Sequence, residues 1–546
     1  MKYVFLSFFF FCTLLGAESI TRQVDDIGRY QTQKKIYEAG QKKQLQRAPI
    51  YTDVQPVALQ KNGGAQACMQ IDTIDLENIT LIEKKRLDGI VKPYVDRCDT
   101  IGDINNLVET INNIYIEKSY VTSRAYIKPQ DLQRGHLVIS AMEGKIETVK
   151  GKGVSTALVF LNQKEKHLNL RDLEVGIEQL NRLRSMQVTM GINPGSKEGY
   201  SDIVMSAVQV GSPFHGSLGL NNYGTAKSGK YQISGSAGWD NPFGINDLLS
   251  VNINTTNKND NENNSIGSSI SYALPIGRSY FELSYSKFKY DQTVNGQNAN
   301  YSSNGETSEV KAKVEYKLFH SKDQRGVFNL SLSNKKNDNY LADVYLETSS
   351  NELTVMQLAY THSYFATAWD GYATLTYHRG LNWFGAYSGS EAKPVFNKYT
   401  LDLNYNRQLS GEGVPARYSF SLQGQYAKEG IIGSEQIGMG GPYSVRGFKS
   451  EGQLSGNRGL YIRNELSLNQ EISHGYFSPY LALDYGIVSR NEQSNGGRIL
   501  GIALGTRVNY YKWALDFYRS IPILYANNLG THRDNGFVGF SLSYSF

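Results

Sequence analysis

Residues 536–546 read GFVGFSLSYSF. Phe537 leads. Val538, Phe540, Leu542, Tyr544 and Phe546 then share one parity, while Gly539, Ser541, Ser543 and Ser545 share the other. Successive side chains of a strand point to opposite faces, so one face is large and apolar and the other small and polar. That contrast fits a strand with lipid on one side and a wet lumen on the other. Working back to residue 213, segments of about ten residues repeat the alternation, as membrane strands do. Gly, Asn and Ser turns divide them. The pattern predicts strands near 215–224, 230–239, 247–256, 267–276, 280–290, 307–318, 325–334, 351–364, 370–379, 399–409 and 417–427. Five more fall near 459–469, 477–487, 499–509, 512–520 and 537–546. An open sheet of this length would leave unpaired edges in lipid, so it must close. The predicted fold class is a transmembrane β-barrel of 16 antiparallel strands, an even number as single-chain bacterial barrels require. A soluble β-solenoid or a pair of sandwiches is the rival reading.

Composition agrees with a barrel. The chain has 546 residues, enough for two or more domains. Its mean hydropathy of −0.42 excludes a bundle of membrane helices. A barrel needs apolar residues only at alternate positions, so its average stays low. Tyr numbers 38, which suits aromatic girdles at two interfaces. A net charge of +5, from 56 basic and 51 acidic residues, does not point to a nucleic-acid partner.

The first residues set the compartment. Lys2 precedes an apolar run from Val4 to Leu15, and Leu15, Gly16 and Ala17 offer a cleavage site. Residues 1–19 are therefore expected to be a secretory signal peptide. No later stretch reaches 18 apolar residues. The remaining cysteines, Cys68 and Cys98, are expected to form one disulfide in an oxidising compartment; two buried thiols are the alternative.

Residues 20–48 read as a polar helix without a wide apolar stripe, better suited to water than to a core. Residues 49–67 hold two prolines, a Gly-Gly pair and no periodicity, and read as a linker. Residues 68–144 form a compact α/β unit: CMQIDTIDL as one strand, two helices, then two strands. Asp103 is expected to cap the second helix. Residues 145–211 repeat the strand–helix–strand plan, and 212–546 are the barrel.

One loop, at about 431–458, is long and Gly-rich, with GGPYSVRGF at its centre. Its glycines permit close backbone approach and would hold Arg446 at a fixed tip. A buried guanidinium needs a carboxylate. Asp484 in LALDYG is the candidate, because Leu481, Leu483 and Tyr485 point to lipid and Asp484 does not. Periodicity alone leaves open an exposed Arg446 and an isolated lumen Asp484.

The motifs carry a resemblance. VRGF, with Arg446, Gly447 and Phe448, resembles the VRG[YF] signature of outer-membrane assembly barrels, and ALDYG resembles the strand whose Asp pairs with that Arg. Residues 119–139 and 168–195 resemble two polypeptide-transport-associated (POTRA) domains. Over essentially the whole mature chain the sequence resembles the transporters of two-partner secretion, the TpsB family. Two modules rather than about five favour the secretion branch over an assembly factor that inserts other barrels. A passive porin is a further alternative, and it does not explain the modules ahead of the barrel. Arg184 stands where the family usually has proline.

The resemblance implies an outer membrane location with POTRA domains in the periplasm. It makes 20–48 a plug helix, 68–144 and 145–211 the POTRA domains, and Phe546 part of a signal read by barrel-assembly machinery. It implies a large unfolded exoprotein client of haemolysin or adhesin type with an N-terminal secretion domain. A monomer, no nucleic acid, no cofactor and no enzyme activity are expected. GTAKSGK at 224–230 has the spacing of a phosphate loop, but Tyr231 follows and the segment leads into a strand.

Overall fold

The computed structural model describes residues 25–41, 43, 52, 54–58, 68–225, 229–256, 263–295, 300–390, 392–409, 415–448, 454–490, 496–525 and 536–546. The expected signal peptide and most of the linker lie outside these residues.

All sixteen alternating segments are strands of one closed barrel. In chain order they are Phe214–Asn221, Gln232–Asp240, Leu248–Thr256, Asn264–Ile276, Ser279–Asn295, Asn300–His320, Gln324–Leu341, Asn351–Phe365, Trp369–Leu381, Asn397–Leu409, Ala416–Tyr426, Arg458–Leu468, Gly475–Val488, Gly497–Tyr510, Trp513–Leu524 and Phe537–Ser545. The last strand pairs with the first from Ser541↔Asn221 to Ser545↔Ser217. Phe546 and Gly216 extend that seam by exchanging bonds of 3.0 and 3.1 Å. Leu218, Ile253, Leu283, Leu375 and Leu504 are each half exposed or more, on the outer face that meets lipid.

The fifth, sixth and seventh strands run 17, 21 and 18 residues, longer than the alternation predicts. A crossing needs only about ten residues. Beyond that span the outward positions turn polar, as at Lys287, Glu306 and Lys336, while the backbone ladder continues. The hydropathy signal therefore ends before the strand does.

The first module packs helices α2 (Lys84–Val91) and α3 (Ile101–Glu117) on a three-stranded sheet of Thr73–Glu77, His136–Met142 and Arg124–Tyr126. Ile71, Leu107, Ile111, Leu137 and Ile139 form its dry centre. Two expectations are corrected. CMQIDTIDL is two strands, because the N–H groups of Asp72 and Thr73 both donate to the Gly135 carbonyl (2.7 and 3.1 Å) and break the run. The cap of α3 is Thr100, with Asp103 one turn in. Asp103 N–H donates to the Thr100 hydroxyl (3.1 Å), and Thr100 N–H donates back to the Asp103 carboxylate (3.0 Å), a capping box.

The second module sets helix α4 (Leu170–Leu180) against the strands Lys145–Lys152, Tyr200–Gln209 and Met186–Pro194. It docks beneath three consecutive periplasmic turns of the barrel. Asn246 donates to the Ser155 carbonyl (2.6 Å), Gly277 to the Leu158 carbonyl (2.9 Å), and Lys317 pairs with Glu178 on α4 (2.9 Å). At the turn that carries Arg184, Ser185 N–H donates to the buried Asp240 carboxylate (2.8 Å).

Candidate functional site

The lumen is occupied by two segments. The first is the loop between Tyr426 and Arg458, which folds inward; Arg458, expected at its end, is the first residue of the next strand. A short hairpin of Ile437–Met439 and Leu454–Gly456 braces it. Ile437, Met439, Val445, Phe448 and Leu454 bury against Tyr461, Val488 and Ile499 of the wall. Glycines on the wall make the approach possible. A Cβ on Gly486 would lie 2.5 Å from the Met439 sulfur. Gly447 has φ +109°, and a Cβ there would lie 2.7 Å from the Ile521 carbonyl oxygen, so only glycine fits. Phe448 follows as an anchor, almost fully buried, its ring 5.6 Å from that of Tyr525.

Arg446 meets Asp484 as a fork. Its Nε donates to Oδ2 at 2.7 Å and its Nη2 to Oδ1 at 2.9 Å. The Arg446 backbone N–H adds a third bond to Oδ2 at 3.0 Å. Asp484 is fully buried. Planar guanidinium and carboxylate match here in the bidentate geometry that Lys cannot reproduce.

Sequence reasoning brought these two residues together and missed the rest of the network. Arg446 Nη1 also donates to Glu465 (2.8 Å). Glu465 accepts in turn from Arg507, whose Nε reaches Asp516 at 3.3 Å; the Tyr480 hydroxyl donates to Asp516 at 2.9 Å. Glu465, Arg507 and Asp516 all sit at inward parities of their strands, so alternation could have placed each in the lumen. It could not have paired them, because pairing depends on register across four strands.

The second lumen segment is helix α1 (residues 25–41). Its expected extent of 20–48 exceeds the described residues. Ile27, Arg29, Tyr30 and Gln33 are buried although most of the helix is polar. The polar surface is met by polar wall groups. The Tyr30 hydroxyl donates to the Tyr223 carbonyl (2.7 Å) and accepts from Gln232 (3.0 Å). Lys35 pairs with Glu309 (2.8 Å) on the sixth strand. Lys43, just beyond, donates to Thr374 (2.9 Å) on the ninth. The helix also touches the loop: Arg29 donates to the Gly433 carbonyl (3.0 Å), and the rings of Tyr30 and Tyr37 each lie 5.5 Å from Tyr443. A second ion cluster holds the loop nearby, where Glu435 pairs with Lys335 (3.0 Å) and Lys398 (2.7 Å).

Outside the barrel, Cys68 and Cys98 are bonded, with Cα atoms 5.3 Å apart, and tie the strand Cys68–Ile71 to Arg97–Thr100. Phe546 lies on the outer face at the seam, half exposed. The arrangement places α1 and a pinned loop inside a bore lined by polar wall groups. The charges of its two clusters pair within the lumen, Arg446 and Arg507 with Asp484, Glu465 and Asp516, and Lys335 and Lys398 with Glu435.

Comparison with known proteins agrees with this architecture. A family profile described as haemolysin secretion/activation protein ShlB/FhaC/HecB matches residues 199–508. A ShlB-type POTRA profile matches residues 69–144, and a second POTRA profile matches 144–194. The outer membrane transporter CdiB of Dickeya dadantii (strain 3937) is 30% identical over 98% of this chain and 98% of its own. Hemolysin transporter protein HpmB of Proteus mirabilis is 29% identical over 88% of this chain and 86% of its own. The solved structure of CdiB from Escherichia coli superposes with a TM-score of 0.85 at 27% identity, covering 95% of this chain and 98% of that one.

Proposed function

Because the chain belongs to the haemolysin secretion/activation family of ShlB, FhaC and HecB, and so exports an exoprotein across a Gram-negative outer membrane by two-partner secretion, we propose that α1 is the resting plug of its pore. The client is a large, unfolded haemolysin or adhesin with an N-terminal secretion domain. The periplasmic POTRA domains receive it, and exposed strand edges let it add by backbone pairing without first folding. It then threads the bore once α1 moves and folds outside, which supplies the drive where no nucleotide exists. Arg446 and Asp484 act as the scaffold of the conducting lumen. Barrel-assembly machinery inserts the chain, which works as a monomer.

The observation that carries this reading is the position of α1, bonded to the wall at Gln232, Glu309 and Tyr223 and to the inserted loop at Gly433. Those contacts are a few polar bonds, each worth only about 1 kcal/mol net, so a helix held this way can leave. Deleting residues 68–211 tests the docking role. Export of the client is expected to stop while the barrel still reaches the membrane, and continued export would overturn the reading.

A further inference from the structure

We propose that the POTRA domains carry two preformed main-chain clamps for an extended polypeptide, and that at rest the chain's own linker occupies both. The first clamp is Asn113 on α3. Its amide Nδ2 donates to the Val57 carbonyl at 3.0 Å and its Oδ1 accepts from the Val57 N–H at 2.9 Å. One side chain thus satisfies both backbone groups of one residue, as a neighbouring strand does at a hydrogen-bonded pair. The second clamp lies on α4. Glu174 accepts from the Thr52 N–H at 2.6 Å, and Arg171 donates to the Thr52 carbonyl at 3.3 Å.

The second clamp is built in advance of its occupant. Glu174 is fully buried and paired with Arg171 at 2.5 Å. Arg171 is steadied by the Ser119 hydroxyl at 3.0 Å, at the junction of the two modules. Both clamps address backbone, and Val57 itself stays nearly half exposed. Groups that read only N–H and C=O accept almost any sequence in extended form, which is the chemistry of an unfolded client. The linker is then a pseudo-client. An incoming extended segment that takes the clamps then displaces the linker from both modules.

This inference rests on the POTRA docking reading, and its test is separate. In the full chain, Thr52→Pro with Val57→Pro removes both N–H groups that the clamps accept, while Thr52→Ala with Val57→Ala keeps them. The probe is a fluorescent peptide copying residues 50–60. The proline pair is expected to bind it about tenfold more tightly than the parent chain, because each lost bond is modest and the effects combine. The alanine pair is expected to match the parent, and adding Asn113→Leu to the proline pair is expected to remove the part of the gain that the first clamp supplies. Equal affinity for all chains, or the same gain in the alanine pair, would overturn the clamps while leaving the docking role intact. Export that survives loss of residues 68–211 would remove the docking role and leave the clamps standing.

Discussion

The Arg446 carbonyl oxygen lies 1.6 Å from where a Cβ on Gly501 would stand. Loop backbone and strand backbone are in direct contact there, so the wall cannot carry even a methyl group at that point. Gly501→Val is expected to expel the loop tip while the barrel still closes. Protease nicking of the loop on intact cells should rise, heat-modifiable barrel should remain, and client export should be lost. A protected loop in that variant would contradict the contact.

Arg446→Ala should leave the buried Asp484 carboxylate without its cation and take one of two cations, Arg446 and Arg507, away from Glu465. Removing one member of a buried ion pair costs about 3–5 kcal/mol. Export is expected to fall to background while the barrel is still inserted. Arg446→Lys should recover little, because an ammonium cannot reproduce the fork. Export at parental levels in Arg446→Ala would refute the role of the pair.

Loss of the bond between Cys68 and Cys98, 30 residues apart, should destabilise the first module. The chain-entropy relation gives about 3–4 kcal/mol for a closed loop of that size. A Cys68→Ser, Cys98→Ser chain should show its proteolysis transition in residues 68–144 at clearly lower urea. The barrel should be unaffected, since the bond lies wholly within the first module.

Acid should act on the first module through Glu143. Burial raises its carboxyl pKa, but the Thr80 hydroxyl, the Leu81 and Thr80 amides and the Tyr115 hydroxyl together outweigh burial and hold it below 4.5. A folded-state pKa below the unfolded one means the stabilisation is present above about pH 4.3 and is lost as pH falls through the folded value. Urea titrations from pH 6 to pH 3 should show this loss, and Glu143→Gln should flatten it. An unchanged pH slope in that variant would show that the carboxylate is not responsible.

The barrel was legible because lipid imposes a rule on every second residue, and Val538 to Phe546 obey it without exception. The ends of the sixth strand were not, since beyond the bilayer no such rule operates on Asn300 or Glu306. Arg446 and Asp484 could be nominated from a loop glycine pattern and an inward parity. Glu465 and Arg507 required a register that no local pattern encodes. The anchoring of Thr52 and Val57 was the least visible feature: a clamp that reads backbone leaves no mark on the residue it holds.

Helix α1 is attached to the rest of the chain at its Lys43 end. Between Lys43 and Cys68 lie 24 residues, a cord of at most about 90 Å. On the proposed plug role, an α1 that leaves the bore stays leashed to the first module, at a local concentration on the order of millimolar. Closing again after a client has passed is then a first-order event, as quick in a cell with ten such pores as in one with thousands.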